Sequence, residues 1–140
     1  FLNWRYKQHP TRKYDTFHLY EKNKLLSYIV LRKTKFGKKQ MIVIVDFKIN
    51  ENIDDDYKVV EFIFSVLNNY QDNCVGAIVT SNPKLREHQI LKNVGFMNIP
   101  KILKPQPFYF IISILEPINE GIKFQEFDKW FISFGDFDVF

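Results

Sequence analysis

One carboxylate invites a chemical reading before any other residue. Asp46 lies within the run Gln40-Met-Ile-Val-Ile-Val-Asp-Phe47, where withdrawal from water would suit it to work as a general base. The same position also reads as a carboxylate at a sheet end, paired with Lys48 or Arg32 or capping a turn, because buried charges are usually paired. The three histidines, His9, His18 and His88, fall on separate segments without a carboxylate or Cys at ligand spacing, so no zinc site is expected. Cys74 has no cationic neighbour to activate its thiol and reads as a small core residue. Trp4-Arg5-Tyr6 offers planar groups that could stack on a sugar or base, or pack against a hairpin. Asp136 and Asp138 flank Phe137 and share a strand face, for an amine, a cation or plain solvent.

These residues need a scaffold, and the composition provides for one. The 140 residues are 46% hydrophobic and include fifteen Phe, enough apolar surface for a packed core and too much for a disordered chain. One domain spanning residues 1–140 is expected. A lone cysteine cannot build a disulfide framework. No apolar run reaches the roughly 20 residues a bilayer demands, so a cytoplasmic setting without a membrane partner is expected. The chain opens at Phe1 without Met or a signal pattern, as a fragment of a longer protein would. Residues 1–48 hold 12 Lys/Arg against 3 Asp/Glu, a net charge of +9, and residues 49–140 hold 8 against 13, a net of −5. The basic residues form no long block and no recognition-helix pattern, so nucleic acid is not an expected partner.

Hydrophobic periodicity gives the elements. Thr16 to Tyr20 and Leu25 to Arg32 flank Glu21-Lys22-Asn23-Lys24 and predict a β-hairpin. Gln40 to Phe47 is apolar on both faces, as an inner strand covered on two sides would be. Tyr57 to Gln71 carries Val59, Val60, Ile63, Val66, Leu67 and Tyr70 at helical spacing, with Asp54, Asp55 and Asp56 placed as cap and first-turn acids. Val75 to Thr80 predicts a parallel strand, and Ser81-Asn82-Pro83 a second helix ending at Gly95. Two further strands are expected at Phe108 to Leu115 and Trp130 to Phe134, with a loop or short helix around Asn119 to Asp128. The fold class is α/β with a mixed sheet, in the order βββ-α-β-α-β-β.

That order resembles the GNAT superfamily of acyl-CoA N-acyltransferases, from the second strand of that fold to the seventh. Leu91-Lys-Asn-Val-Gly95-Phe96 resembles the family's aromatic-x-Lys-x-Gly-Phe helix ending. The opening Phe1-Leu-Asn-Trp-Arg-Tyr6 with His9-Pro10 and Tyr14, and the close Trp130-Phe-Ile-Ser-Phe-Gly-Asp136-Phe-Asp138, resemble bacterial GNAT-like proteins with Leu-x-Trp-Arg-Tyr near one end and Gly-Asp-x-Asp near the other. Similar proteins often serve surface-polysaccharide or amino-sugar modification. The resemblance implies a missing first strand and helices ahead of Phe1. It also implies transfer of an acyl group from acetyl-CoA or another acyl-CoA to a small-molecule amine, with no metal. Asp46 would be the base, and the backbone of Phe47, Lys48 and Ile49 would contact the pantetheine arm. An exposed sheet edge left by absent N-terminal elements would favour self-association or docking of that missing region.

Two positions depart from the family pattern. The phosphate turn, usually Gln/Arg-x-x-Gly-x-Gly/Ala, is here Lys48-Ile-Asn-Glu-Asn-Ile-Asp-Asp-Asp-Tyr57, with no glycine and four acids. At about 4 Å and an effective dielectric near 20, one like-charge contact would cost roughly 4 kcal/mol. The tyrosine that would protonate the departing thiolate, four residues before the Gly of the Gly-Phe pair, is Leu91, which leaves Tyr57 and Tyr109 as the available phenols. A non-catalytic GNAT-like domain with a degenerate CoA site, structural or substrate-binding in role, is therefore the alternative reading.

Overall fold

A computed structural model describes residues 3–9, 11–100 and 130–136. Its strands and helices are β1 (Asp15–Glu21), β2 (Lys24–Phe36), β3 (Lys39–Ile49), α1 (Asp56–Tyr70), β4 (Cys74–Val79) and α2 (Arg86–Val94). The sheet order is β1-β2-β3-β4, antiparallel through β3, with β4 parallel to β3. The βββ-α-β-α part of the expected order is thus present, and the run ending at Phe47 is an inner strand. The expected strand at Phe108 to Leu115 and the segment at Asn119 to Asp128 lie outside the described residues.

Local chemistry explains the connections. Lys22 and Asn23 join β1 to β2 with φ of 46° and 66°, the left-handed pair that a two-residue hairpin loop needs to match strand twist. Asn tolerates this region; Lys22 occupies it because the loop is so short. Gly37, with φ 62°, serves the β2–β3 turn. Asp55 caps α1 by accepting from the Tyr57 N–H at 3.0 Å. Gly95, at φ 112°, ends α2 with its N–H directed to the Leu91 and Lys92 carbonyls, a left-handed cap open to glycine without a Cβ penalty.

Two sequence expectations are corrected. Helix α2 begins at Arg86, with Leu85 at its cap, rather than at Pro83. Asn82 instead closes a turn ahead of it, its side chain accepting from Lys84 N at 3.1 Å and its carbonyl from Leu85 N at 3.1 Å. This local bond competes with helix propagation. Trp130 to Phe134 is not a strand: residues 130–133 are irregular and Phe134–Asp136 is a 3₁₀ turn. The segment docks where β3 is bulged and Gly135 is pressed against Tyr6, so a regular ladder has no straight partner to follow.

Both faces of the sheet are covered, unequally. On one face Ile29, Leu31, Ile42, Ile44, Phe47 and Ile49 pack against Val59, Ile63 and Val66 of α1 and Ile90 and Leu91 of α2. Each such side chain contributes about 1.5–3 kcal/mol by leaving water. On the other face a smaller cluster joins Val30, Val43 and Val45 to Tyr6 and Phe134, which come from a π-helical turn at Asn3–Lys7 and from the 3₁₀ turn.

A β-bulge decides which face Asp46 joins. Val30 pairs with Asp46 but Leu31 pairs with Ile44, so Val45 is an extra residue on β3. Strict alternation would set Asp46 beside Ile42 and Ile44, beneath the helices. The inserted residue reverses the parity, so Phe47 and Ile49 continue the helix-side core and Asp46 joins the second face.

Candidate functional site: the Asp46 cluster

Asp46 is 6% exposed. Its Oδ2 accepts from the Tyr6 hydroxyl at 2.8 Å and from the Tyr28 hydroxyl at 3.3 Å. Two phenols thus bond the carboxylate, whereas the Lys48 ammonium pairs with Glu87. Tyr6 is itself buried, with its ring edge-on to Tyr14 at 5.2 Å. Burial first, and then the Asp46 charge and hydrogen bond, push the Tyr6 phenol well above its ordinary value. Tyr6 therefore stays protonated and donating.

The two ends of the described chain meet on this carboxylate. The Arg5 guanidinium donates to the Gly135 carbonyl. A Cβ at Gly135 would stand 2.5 Å from the Tyr6 hydroxyl, 3.3 Å from Ser133 Oγ and 3.3 Å from the Val45 carbonyl. Gly135 is thus required for space rather than for backbone freedom. Phe134 and Ser133 are each 6% exposed beside it. The Arg5-Tyr6 pair of the opening and the Ser133 to Gly135 stretch of the close, noted separately in the sequence, form one interlock across the bulge.

Strand β4 ends next to this cluster. The last pair between β3 and β4 is Ile44 with Val79, whereas β3 continues to Ile49. Trp130 and Phe131 contact the chain beyond β4 and the unpaired end of β3 respectively. Asn82, beyond β4, donates to the Trp130 carbonyl at 3.1 Å. On β3, the Lys48 ammonium lies 5.0 Å from the centre of the Phe131 ring and pairs with Glu87 at 3.3 Å. Of the positions expected to meet a cofactor, Phe47 and Ile49 bury their side chains in the helix-side core. The Lys48 carbonyl accepts from Ser27 Oγ at 2.9 Å.

The start of α1, the expected neighbourhood of a phosphate, is furnished with the chain's own acids. Asp55 holds the Tyr57 N–H. Arg86 of α2 reaches across to Asp56 through Nε at 2.8 Å, and its Nη2 donates to the Ile53 carbonyl. The turn before it is closed by Asn50, which accepts from Asn52 N at 3.0 Å and donates to the Leu25 carbonyl at 3.0 Å. Leu91 is 2% exposed in the core and carries no proton to give. Tyr57 is 67% exposed, and Tyr109 lies outside the described residues.

The remaining candidates fall elsewhere. His9 Nδ1 accepts from Thr11 N and Arg12 N at 3.3 and 3.2 Å, bracing a turn. His18 is exposed, 6.1 Å from the Tyr20 ring. His88 Nδ1 and Ser81 Oγ are 2.8 Å apart at the foot of α2. Cys74 is half-buried against the core. It borders an open cleft of about 150 Å³ with Ile42, Leu67 and Gln71, which is below the size that accommodates a nucleotide cofactor. The Asp136 side chain and Asp138 lie outside the described residues.

No family model matches the chain, and no curated protein matches it. Among solved structures it is similar to the wild-type TTHA1254 protein of Thermus thermophilus, with 12% identity over 74% of this chain and 72% of that one and a TM-score of 0.49. A point mutant of the same Thermus protein aligns over the same shares, again with 12% identity, at a TM-score of 0.50. At that identity the likeness concerns fold alone. The protein is of the α/β class, with a four-stranded mixed sheet carrying both described helices on one face.

Proposed function

We propose that the chain is a GNAT-like domain belonging to an acyl-CoA-dependent N-acyltransferase, and that it serves there as a structural or substrate-binding unit instead of gripping the CoA pyrophosphate. The carrying observation is the occupied start of α1. Asp55 takes the helix N–H of Tyr57, and Arg86 is drawn onto Asp56 and the Ile53 carbonyl. A phosphate binds a helix start through free N–H groups and a positive field. Here self-supplied carboxylates take that position, and no glycine lets a phosphate approach the backbone.

A second reading keeps catalysis in this domain, and the length of β3 left unpaired beyond the end of β4 favours it. Pairing ends at Ile44, and Asp46 follows two residues later on the bulge. An extended thioester arm could pair with the main chain of Phe47 to Ile49 if residues 130–135 gave way, leaving Asp46 to deprotonate a small-molecule amine such as an amino sugar. Acyl transfer would then form the amide N–C bond and break the thioester C–S bond, with the amine proton passing to the base and the thiolate leaving.

Calorimetric titration with acetyl-CoA separates the two readings. The first expects no heat and no thermal shift at millimolar ligand. Saturable binding, together with turnover that Asp46→Asn abolishes in a folded protein, would establish the second in its place.

A further inference from the structure

The β2–β3 hairpin ends in Lys33-Thr-Lys-Phe-Gly-Lys-Lys39. Phe36 is 69% exposed at the turn. Lys35, Lys38 and Lys39 are exposed around it, their ammoniums without a hydrogen bond or ion pair among the described residues. Lys33, lower on the ladder, is engaged: its ammonium donates to the Asp72 carbonyl at 3.4 Å and lies 4.8 Å from the centre of the Tyr70 ring. The tip itself therefore combines uncompensated positive charge with an apolar ring that gains nothing from the fold.

Exposed acids stand at both ends of the sheet, Asp72 just ahead of Cys74, which pairs with Gln40 near the tip. Strand β3 starts at Lys39 and finishes at Ile49, so the exposed Glu51, Asp54 and Asp55 stand about 30 Å from the tip at roughly 3.3 Å per residue. The exposed ammoniums of Lys35, Lys38 and Lys39 draw the tip toward a negative surface.

We propose that this tip docks on a bilayer surface carrying anionic lipids, with the Phe36 ring in the boundary between headgroups and acyl chains and Lys35, Lys38 and Lys39 on lipid phosphates. Lysine ammoniums are attracted to an anionic leaflet within about a Debye length of it. An aromatic ring entering the interface then turns a weak, diffuse attraction into a located one. A single-stranded nucleic acid fits the tip less well. It is bound by stacking platforms along a basic groove, commonly with arginine; the tip has one ring, no arginine and no ring partner among the described residues. No helix among the described residues is long and apolar enough to cross a membrane.

The test is co-sedimentation of the 140-residue chain with vesicles of phosphatidylcholine alone or with about 30% phosphatidylglycerol, at roughly 0.1 M and 0.5 M salt. Binding is expected only to the anionic vesicles and should fall at least tenfold at the higher salt. Phe36→Ala is expected to lower the partition coefficient about tenfold, and the pair Lys38→Glu and Lys39→Glu to abolish binding. All three positions are exposed, so the melting temperature should be unchanged; Phe36→Ser serves if the alanine variant misfolds. Equal binding to neutral vesicles, no binding at all, an unaffected Phe36 variant, or capture of a single-stranded oligonucleotide without vesicle binding would each overturn the proposal.

Discussion

The hydroxyl of Tyr6 donates to Asp46 across 2.8 Å, tying the first helical turn of the chain to the bulge of its inner strand. Because Tyr6 and Asp46 are both buried, water cannot readily replace this bond. Tyr6→Phe is expected to destabilise the domain by about 1–3 kcal/mol. Tyr28→Phe, which removes the longer 3.3 Å bond, should cost less. Urea unfolding of both variants checks the order, and equal stabilities would remove the Tyr6 bond from any dominant role.

Glycines in this chain are needed for two different reasons, and alanine separates them. At Gly135 the added methyl would meet the Tyr6 hydroxyl at 2.5 Å, an overpacking cost of about 1–3 kcal/mol. At Gly95 the space is open and only the positive φ objects, a cost on the order of 1 kcal/mol. Combining Gly135→Ala with Tyr6→Phe should recover part of the first loss and none of the second, as a double-mutant cycle would record.

Alkaline titration offers a test independent of mutation. Burial, followed by Asp46, raises the Tyr6 phenol; burial, followed by the hydrogen bond to Asp15, raises Tyr70. Between the unfolded pKa near 10 and the raised folded value, the unfolded chain has lost protons that the native chain keeps. Stability is therefore fully present below about pH 10 and is lost as pH rises above it. Ultraviolet difference spectra should show a late tyrosine step that coincides with unfolding. A single unshifted step in the native protein would contradict the burial of Tyr6 and the partial burial of Tyr70.

The start of α1 makes the fourth test. Asp55→Ala removes the cap on the Tyr57 N–H and is expected to cost about 0.5–2 kcal/mol. The same substitution also takes an acid from the place where a phosphate would sit. If added acetyl-CoA then raised the melting temperature, electrostatic exclusion at this turn would be established directly.

How far the residue pattern reached is clearest at three elements. The stripe of Val59, Ile63 and Val66 on α1 was legible because 3.6-residue spacing survives whatever lies opposite. The inner position of β3 was equally legible from its two apolar faces. The environment of Asp46 was not, because a bulge is a property of the pairing between two strands and leaves no mark on one. Without it, Asp46 falls on the wrong face and its phenol partners are invisible. The ending at Trp130 to Phe134 read as a strand because aromatics are common in strands. It folds otherwise because Gly135 fits a crevice formed by residues far away in the chain. Asn82 likewise had the chemistry of a helix cap and spent it on a preceding turn.

The interlock of Arg5 with Gly135 also sets an order of events at the ribosome. Those residues are 130 positions apart, whereas Tyr6 and Asp46 are separated by 40. During synthesis the hairpins, α1 and β4 can assemble, and the phenol can find its carboxylate, long before the closing turn has emerged. Growth at about 5–20 residues per second leaves that sheet waiting several seconds for the closing turn. Nascent chains arrested before residue 130 should consequently be cut by protease near the opening turn, and chains released past residue 136 should resist.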